Sequence, residues 1–142
     1  MSSMKKELKL RFKEGPLEQE TYYWGGGTPS ILPNIEMSSL AQVAFENAPL
    51  KEGGEFTLEV NPDDVTPQSL KFWRNIGVNR LSIGVQSFMN DKLQWMNRTH
   101  DSDQAHAAIK RTQDAGFENI SVDLIYGIPD SSLGEWQNNV GI

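Results

Sequence analysis

Three polar side chains suited to binding a ligand occur at matching places in the sequence. Glu59, Gln86 and Asp123 each lie near the carboxyl end of a segment in which apolar and polar residues alternate. A period of two is typical of a β-strand. Carboxylates accept hydrogen bonds from hydroxyl and ammonium groups, and an amide both donates and accepts. A buried hydrogen bond or ion pair explains any one of them equally well, but three in the same phase favour a ligand site.

The segments that carry these residues each have one apolar and one polar face. In residues 56–61, 81–86 and 120–124, apolar side chains alternate with small or polar ones. Helix patterns flank each segment, which predicts parallel strands, and such strands are normally apolar on both faces. A sheet covered by helices on both faces would bury unpaired carboxylates at a cost on the order of several kcal/mol. A barrel with a polar interior fits better, and its strands bind ligands at their carboxyl ends.

Helix and strand patterns alternate along the whole chain, which predicts the fold class. The first helix is expected to end at Gly15, and a later one begins at the N-cap Thr66 with Pro67 in its first position. Including an aromatic strand before the glycines Gly25 to Gly27, the chain contains about four strands. We therefore expect an α/β fold of parallel β/α repeats joined by right-handed crossovers.

Two further features can complete a ligand site at the strand ends. The glycines of the sequence YYWGGGTPS allow the backbone to approach a ligand closely. They match neither a P-loop nor the G-x-G-x-x-G dinucleotide pattern, and a tight strand-to-helix turn explains them equally well. Arg98 follows a short helix pattern after the third strand, and it can bind a carboxylate with two parallel hydrogen bonds if the chain folds back.

Composition narrows the class of protein. The chain has 142 residues, which suits one domain, and a formal net charge of −6, which argues against a nucleic-acid partner. No apolar run is long enough for a membrane span, and no secretory signal is recognisable, so a cytoplasmic protein is expected. The absence of cysteine excludes disulfides and thiolate metal sites. His100 and His106 are expected to be polar surface residues rather than metal ligands.

Taken together, these motifs resemble a known family. The sequences YYWGGGTPS, TLEVNPDDVTPQSL, GVNRLSIGVQSF, NRTH and AGFENISVDLIYGIP are similar to those of radical S-adenosylmethionine (SAM) proteins. The similarity is to the group of oxygen-independent coproporphyrinogen III oxidases and haem chaperones, and it covers nearly the whole chain. It implies about four strands of a partial (β/α)6 TIM-like barrel, with SAM across the strand ends and a [4Fe-4S] cluster beside it.

The resemblance also implies roles for individual residues. The turn after the first strand would hydrogen-bond the methionyl ammonium, and Glu59 and Asp123 would bind that ammonium or the cofactor hydroxyls. Gln86 would contact the cofactor, and Arg98 would pair with the methionyl carboxylate. The implied cofactor-binding residues are Gly26, Gly27, Thr28, Glu59, Gln86, Arg98 and Asp123.

One feature of the family is missing from this sequence. The family holds its cluster with a C-x3-C-x2-C loop after the first strand, and this chain has no cysteine. Residues 1–142 are therefore expected to be the central part of a radical SAM core domain, without its first strand, cluster loop and last strand. Such a fragment is expected to be catalytically inactive alone, with open sheet edges that favour self-association.

Three functions remain open at this point. The first is a fragment of a haem chaperone, which the RTH and NPDD variants of the motifs favour. The second is a fragment of a true coproporphyrinogen III oxidase of haem biosynthesis. The third is a free-standing α/β module that binds a nucleoside. In the first two, the partner of the parent protein would be haem or a porphyrinogen.

Overall fold

A computed structural model of the chain describes residues 2–13, 15 and 17–141. Within these residues, four strands alternate with helices. The strands are β1 (Gln19–Trp24), β2 (Leu50–Val60), β3 (Arg80–Gln86) and β4 (Asn119–Leu124). The α-helices are α1 (Ser2–Arg11), α2 (Asn34–Asn47), α3 (Pro67–Asn75), α4 (Asn90–Trp95), α5 (Ser102–Asp114) and α6 (Leu133–Val140).

The strands form one sheet in the order β1-β2-β3-β4, and each neighbouring pair is parallel. Each strand therefore lies beside its predecessor in the chain, and a helical connection returns the chain to the same end of the sheet. The carboxyl ends of all the strands consequently meet at one edge. The α/β fold of parallel repeats predicted from the alternating patterns is confirmed.

Local sequence signals set the helix boundaries. Thr66 caps α3 by accepting a hydrogen bond from the Ser69 amide, as predicted, and Pro67 occupies the first position. The helix α1 ends at Arg11 rather than at the predicted Gly15, which has a φ of +120°. Met1 and Glu14 of that predicted helix lie outside the described residues.

The hydrophobic core lies on one face of the sheet. Phe56 and Leu58 of β2 and Leu81 and Ile83 of β3 are wholly buried against the helices, together with Trp73 of α3. Their alternation places all four strand residues on the same side, because successive side chains of a strand point to opposite faces. The apolar, helix-covered face predicted from the period of two is confirmed.

The opposite face carries the polar residues of the same strands. Glu59 of β2 lies beside Ser82 of β3, which lies beside Ser121 of β4. This row is the polar face that the sequence pattern predicted. Within the described part of the chain, no helix is both long and apolar enough to cross a bilayer.

Candidate functional site

A pocket of about 310 Å³ lies on the polar face at the carboxyl ends of the strands. Most of the residues predicted to bind a ligand line it. They are Gly27, Thr28, Glu59, Gln86, Arg98 and Asp123. A larger surface cavity of about 490 Å³ lies between α3 and α5 and includes none of them. Size alone therefore does not identify the site, whereas the convergence of predicted polar residues does.

The remaining predicted residue, Gly26, contacts the pocket through Glu59. The Gly26 amide donates to Glu59 Oε2 at 3.0 Å, and the Tyr23 hydroxyl donates to Glu59 Oε1 at 2.6 Å. This hydrogen bond with Glu59 is the main reason why the pKa of Tyr23 is raised above its ordinary value. Both oxygens of Glu59 are thus oriented by the strand β1 and the turn that follows it.

The glycine turn leaves room for the Glu59 carboxylate. A Cβ atom at Gly25 would lie 2.5 Å from Cδ of Glu59, closer than such atoms approach. Gly26 and Gly27 have φ values of +83° and +71°, a region that favours glycine. A tight turn and a close approach to a functional side chain are therefore both present in this loop.

Gln86 occupies an unusual backbone conformation at the end of β3. Its φ is 68°, in the left-handed region, and the pairing of β3 with β4 shifts register between Ile83 and Gln86. The Ile125 amide donates to the Gln86 carbonyl at 2.9 Å, which holds the irregular backbone. Strained residues of this kind cluster at functional sites.

Asp123 lies on the edge strand β4 and is exposed toward the pocket. The Ser82 hydroxyl lies 2.9 Å and 3.0 Å from the two Asp123 carboxylate oxygens and donates to them. A single hydroxyl proton satisfies only part of the capacity of a carboxylate, which can accept about four hydrogen bonds. Asp123 therefore retains acceptor capacity for a ligand.

Arg98 reaches the pocket from the loop between α4 and α5, as the prediction of a chain folding back required. Its Nη2 donates to Asn61 Oδ1 at 2.9 Å and to the Gly84 carbonyl at 3.0 Å. A guanidinium has five N–H donors, so further donors are available to a ligand. The pocket thus combines a cation with the carboxylates of Glu59 and Asp123.

Several contact residues of the site were not predicted from the sequence. Tyr23, Asn61 and Ser82 hold predicted site residues in place. Asn61 and Ser82 were on the predicted polar face, so their phase was a usable signal. Tyr23 was visible only as part of an aromatic strand, and nothing in its spacing indicated a contact with Glu59.

One smaller expectation needs correction. His100 is 3% exposed and bonded to the Val85 carbonyl, whereas a polar surface residue was expected; His106 is exposed as predicted. The short turn after β2 also brings two carboxylates to neighbouring loops: Asp63 accepts a hydrogen bond from Thr99, and Asp64 accepts one from Ser30.

Comparison with known proteins identifies the family. The model of the radical SAM superfamily matches residues 4–140. The chain belongs to the radical SAM superfamily. The superfamily assignment predicted from the motifs is thereby confirmed, and this family uses SAM and a [4Fe-4S] cluster.

Curated relatives carry two names. The chain is 41% identical over 113 residues to the haem chaperone HemW of Lactococcus lactis, covering 80% of this chain and 30% of the relative. It is 36% identical over 107 residues to the oxygen-independent coproporphyrinogen III oxidase of Salmonella typhimurium, covering 75% of this chain and 23% of the relative. The chain therefore spans about a third or less of the length of these relatives.

Solved structures agree with the fold. Coproporphyrinogen III oxidase (HemN) from Escherichia coli superposes with a TM-score of 0.88 at 28% identity, over 99% of this chain and 32% of that one. The archaeal Elp3 of Methanocaldococcus infernus superposes with a TM-score of 0.76 at 16% identity, over 97% of this radical SAM chain and 36% of that one, which shows a shared fold alone. The resemblance to the TIM-like barrel of HemN is confirmed.

Proposed function

We propose that this radical SAM chain binds the adenosyl and methionyl parts of SAM in the pocket at the carboxyl ends of β1 to β4. The observation that carries the proposal is the convergence of Glu59, Gln86, Arg98 and Asp123 around one cavity. These residues are far apart in sequence, and a chance arrangement would not gather both carboxylates and a cation in a pocket of about 310 Å³.

The polar groups of the pocket complement a zwitterionic nucleoside. Glu59 and Asp123 accept hydrogen bonds from hydroxyl and ammonium groups, and Arg98 donates to a carboxylate. An ammonium requires acceptors, and the Gly26 amide already donates to Glu59. The glycine turn would therefore contribute its carbonyl oxygens and the Thr28 hydroxyl to the ammonium, rather than its N–H groups.

The residues present do not fit the [4Fe-4S] cluster of the family. The sequence contains no cysteine, and within the described ranges no group of three or more histidine or carboxylate side chains is placed to hold a metal ion. SAM bound in this pocket would supply its sulfonium chemistry only with a cluster held by other residues. The contribution that we assign to this chain is therefore the binding and orientation of the cofactor.

We assign residues 1–142 to the central part of a radical SAM core domain, because their four strands and connections superpose on HemN over 99% of this chain. For the whole protein we favour a haem chaperone of the HemW type. This choice is supported by the higher identity, 41% against 36%, over a larger share of the chain. A coproporphyrinogen III oxidase is the second candidate, and haem or a porphyrinogen would be the respective partner.

Isothermal titration of the purified chain with S-adenosylhomocysteine tests the proposal. This ligand keeps the nucleoside and the amino-acid group and needs no iron for those contacts. We expect saturable binding that Asp123→Asn weakens by roughly tenfold or more, the value of one hydrogen bond to a charged group. Asp114→Asn is the matched control, because Asp114 is an exposed carboxylate on α5 away from the pocket.

The outcomes separate a working cofactor site from an inert fragment. Binding to the wild type and the control, with loss in the Asp123 variant, would support a working cofactor site. A folded, monodisperse chain that binds no ligand would contradict the proposal. Size-exclusion chromatography of the same samples would test the self-association expected from open sheet edges.

A further inference from the structure

The loop that carries Arg98 is fastened to β3 by two side chains. We call residues 97–101 the strap. Arg98 Nη2 donates to the carbonyl of Gly84 at 3.0 Å, and His100 Nε2 lies 3.0 Å from the carbonyl of Val85. The strap therefore contacts two consecutive carbonyls at the end of the strand that lines the pocket.

The contact with Val85 fixes the tautomer of His100. A carbonyl oxygen only accepts hydrogen bonds, so Nε2 must carry the proton that it shares with Val85. The ring is 3% exposed, and its Nδ1 has no hydrogen-bond partner among the residues that the structure describes. His100 is thus a buried imidazole with one nitrogen used and the other unpaired.

The unpaired, buried Nδ1 atom of His100 does not contribute to the stability of the fold. A buried polar atom without a partner costs roughly as much as a neutral hydrogen bond contributes, or more. An apolar ring of similar size at position 100 would avoid that cost and keep the burial. What the imidazole adds is a directed link between the strap and the carbonyl next to the one that holds Arg98.

The strap is held near both of its ends. Asn97 has a φ of 54°, the left-handed conformation that commonly closes a helix and that asparagine tolerates. The Arg98 amide donates to the Leu93 carbonyl at 2.9 Å, which ties the start of the strap to α4. Near the other end, before α5 begins at Ser102, His100 contacts the Val85 carbonyl and Thr99 donates to Asp63.

We propose that His100 is a positioning residue, whose Nε2–H bond to Val85 holds the strap so that the Arg98 guanidinium faces the methionyl carboxylate of the ligand. This inference rests on the proposed function, because the carboxylate belongs to the ligand proposed there. His100 touches neither ligand nor Arg98 in this role; it acts through the backbone of the strap.

Two substitutions separate positioning from a purely structural role. His100→Phe keeps a buried ring of similar size but has no donor for Val85. His100→Gln places a side-chain N–H at about the reach of Nε2 and should restore the bond. His106→Phe is the matched control, since His106 is an exposed histidine on α5 that stacks on Phe88.

The measurement compares two ligands by isothermal titration. S-adenosylhomocysteine carries the amino-acid carboxylate, whereas 5′-methylthioadenosine lacks it. We expect His100→Phe to weaken the binding of S-adenosylhomocysteine by about tenfold. Its affinity for methylthioadenosine should stay within about twofold of the wild-type value. His100→Gln should recover most of the loss, the control should show none, and thermal unfolding of His100→Phe should not fall below wild type.

Other results would overturn the inference. An unchanged affinity of His100→Phe for S-adenosylhomocysteine would do so. An equal loss for both ligands together with a lower unfolding temperature would assign His100 a structural role instead. If the wild type binds neither ligand, the proposed function fails, and amide hydrogen exchange decides about His100 separately. Exchange at residues 97–99 that is faster in the Phe variant and restored in the Gln variant supports the positioning role, and unchanged exchange contradicts it.

Discussion

The two faces of the sheet are made from the same strands but differ in their side chains and in what those side chains do. On the helix-covered face, Leu58 and Leu81 are wholly buried and lie side by side in one apolar core. On the open face, Glu59 and Ser82 are the neighbouring pair, and their partners are polar groups of loops and strands. The first face stabilises the fold, and the second holds side chains in positions that stability does not require.

The largest difference between the faces should appear in stability. We expect Leu81→Ala to lower the free energy of unfolding by about 2–5 kcal/mol, because it removes buried methyl groups and leaves a cavity. Asp123→Asn on the open face should change the same quantity by less than about 0.5 kcal/mol, as exposed positions do. Urea unfolding followed by circular dichroism measures both. Equal losses in the two variants would show that the open face also carries the stability of the fold.

The next effect should be on ligand binding with little change in stability. A Cβ at position 25 would displace the Glu59 carboxylate. We therefore expect Gly25→Ala to weaken the binding of S-adenosylhomocysteine by about tenfold. The control is Gly134→Ala on α6, where the nearest atom to a Cβ is Ser132 Oγ at 3.9 Å and alanine favours the helix. Unaltered binding by the Gly25 variant would contradict the role given to Glu59.

A smaller and opposite effect is expected at Gln86. Glycine adopts the left-handed backbone conformation without strain, so Gln86→Gly should raise the free energy of unfolding by about 1 kcal/mol. The same substitution should weaken ligand binding. Gln94→Gly, in the exposed part of α4, should instead lower stability by about 1 kcal/mol. Thermal unfolding and titration of both variants provide the test. A destabilised Gln86 variant would show that its backbone is not strained.

The smallest effect concerns pH and lies outside both faces. The backbone N–H of Ser132 donates to the Glu135 carboxylate at the start of α6, which is the main reason why the pKa of Glu135 lies below its ordinary value of 4.5. A carboxyl group whose pKa is lowered by folding stabilises the folded state at pH values above its unfolded pKa. The contribution of Glu135 is therefore present above pH 4.5 and is lost as the pH falls through the folded-state pKa.

Amide hydrogen exchange of α6 across this acidic range measures the effect. Exchange should accelerate on acidification relative to the other helices, after correction for the intrinsic dependence on pH. Glu135→Gln should remove that dependence, and Glu118→Gln, an exposed glutamate before β4, should keep it. A wild-type helix that shows no such change would exclude a contribution from this cap.

The alternation of apolar and polar residues was sufficient to predict the parallel sheet, its two faces and the shared phase of Glu59 and Asp123. It succeeded because a period of two directly determines which face a strand residue occupies. The left-handed backbone of Gln86 and the burial of His100 were not predictable in this way. Both depend on how a loop returns to the strand ends, and a single sequence contains no periodic signal for that path.

The most direct test of the central claim is to map the ligand on the molecule by nuclear magnetic resonance. Spectra of the ¹⁵N-labelled chain would be recorded with increasing S-adenosylhomocysteine. The strand-end pocket predicts shifts at the amides of Gly26, Gly27 and Gln86 and in the strap, with none in the cavity between α3 and α5. Shifts confined to that cavity, or no shifts from a folded chain, would contradict the assignment of the cofactor site.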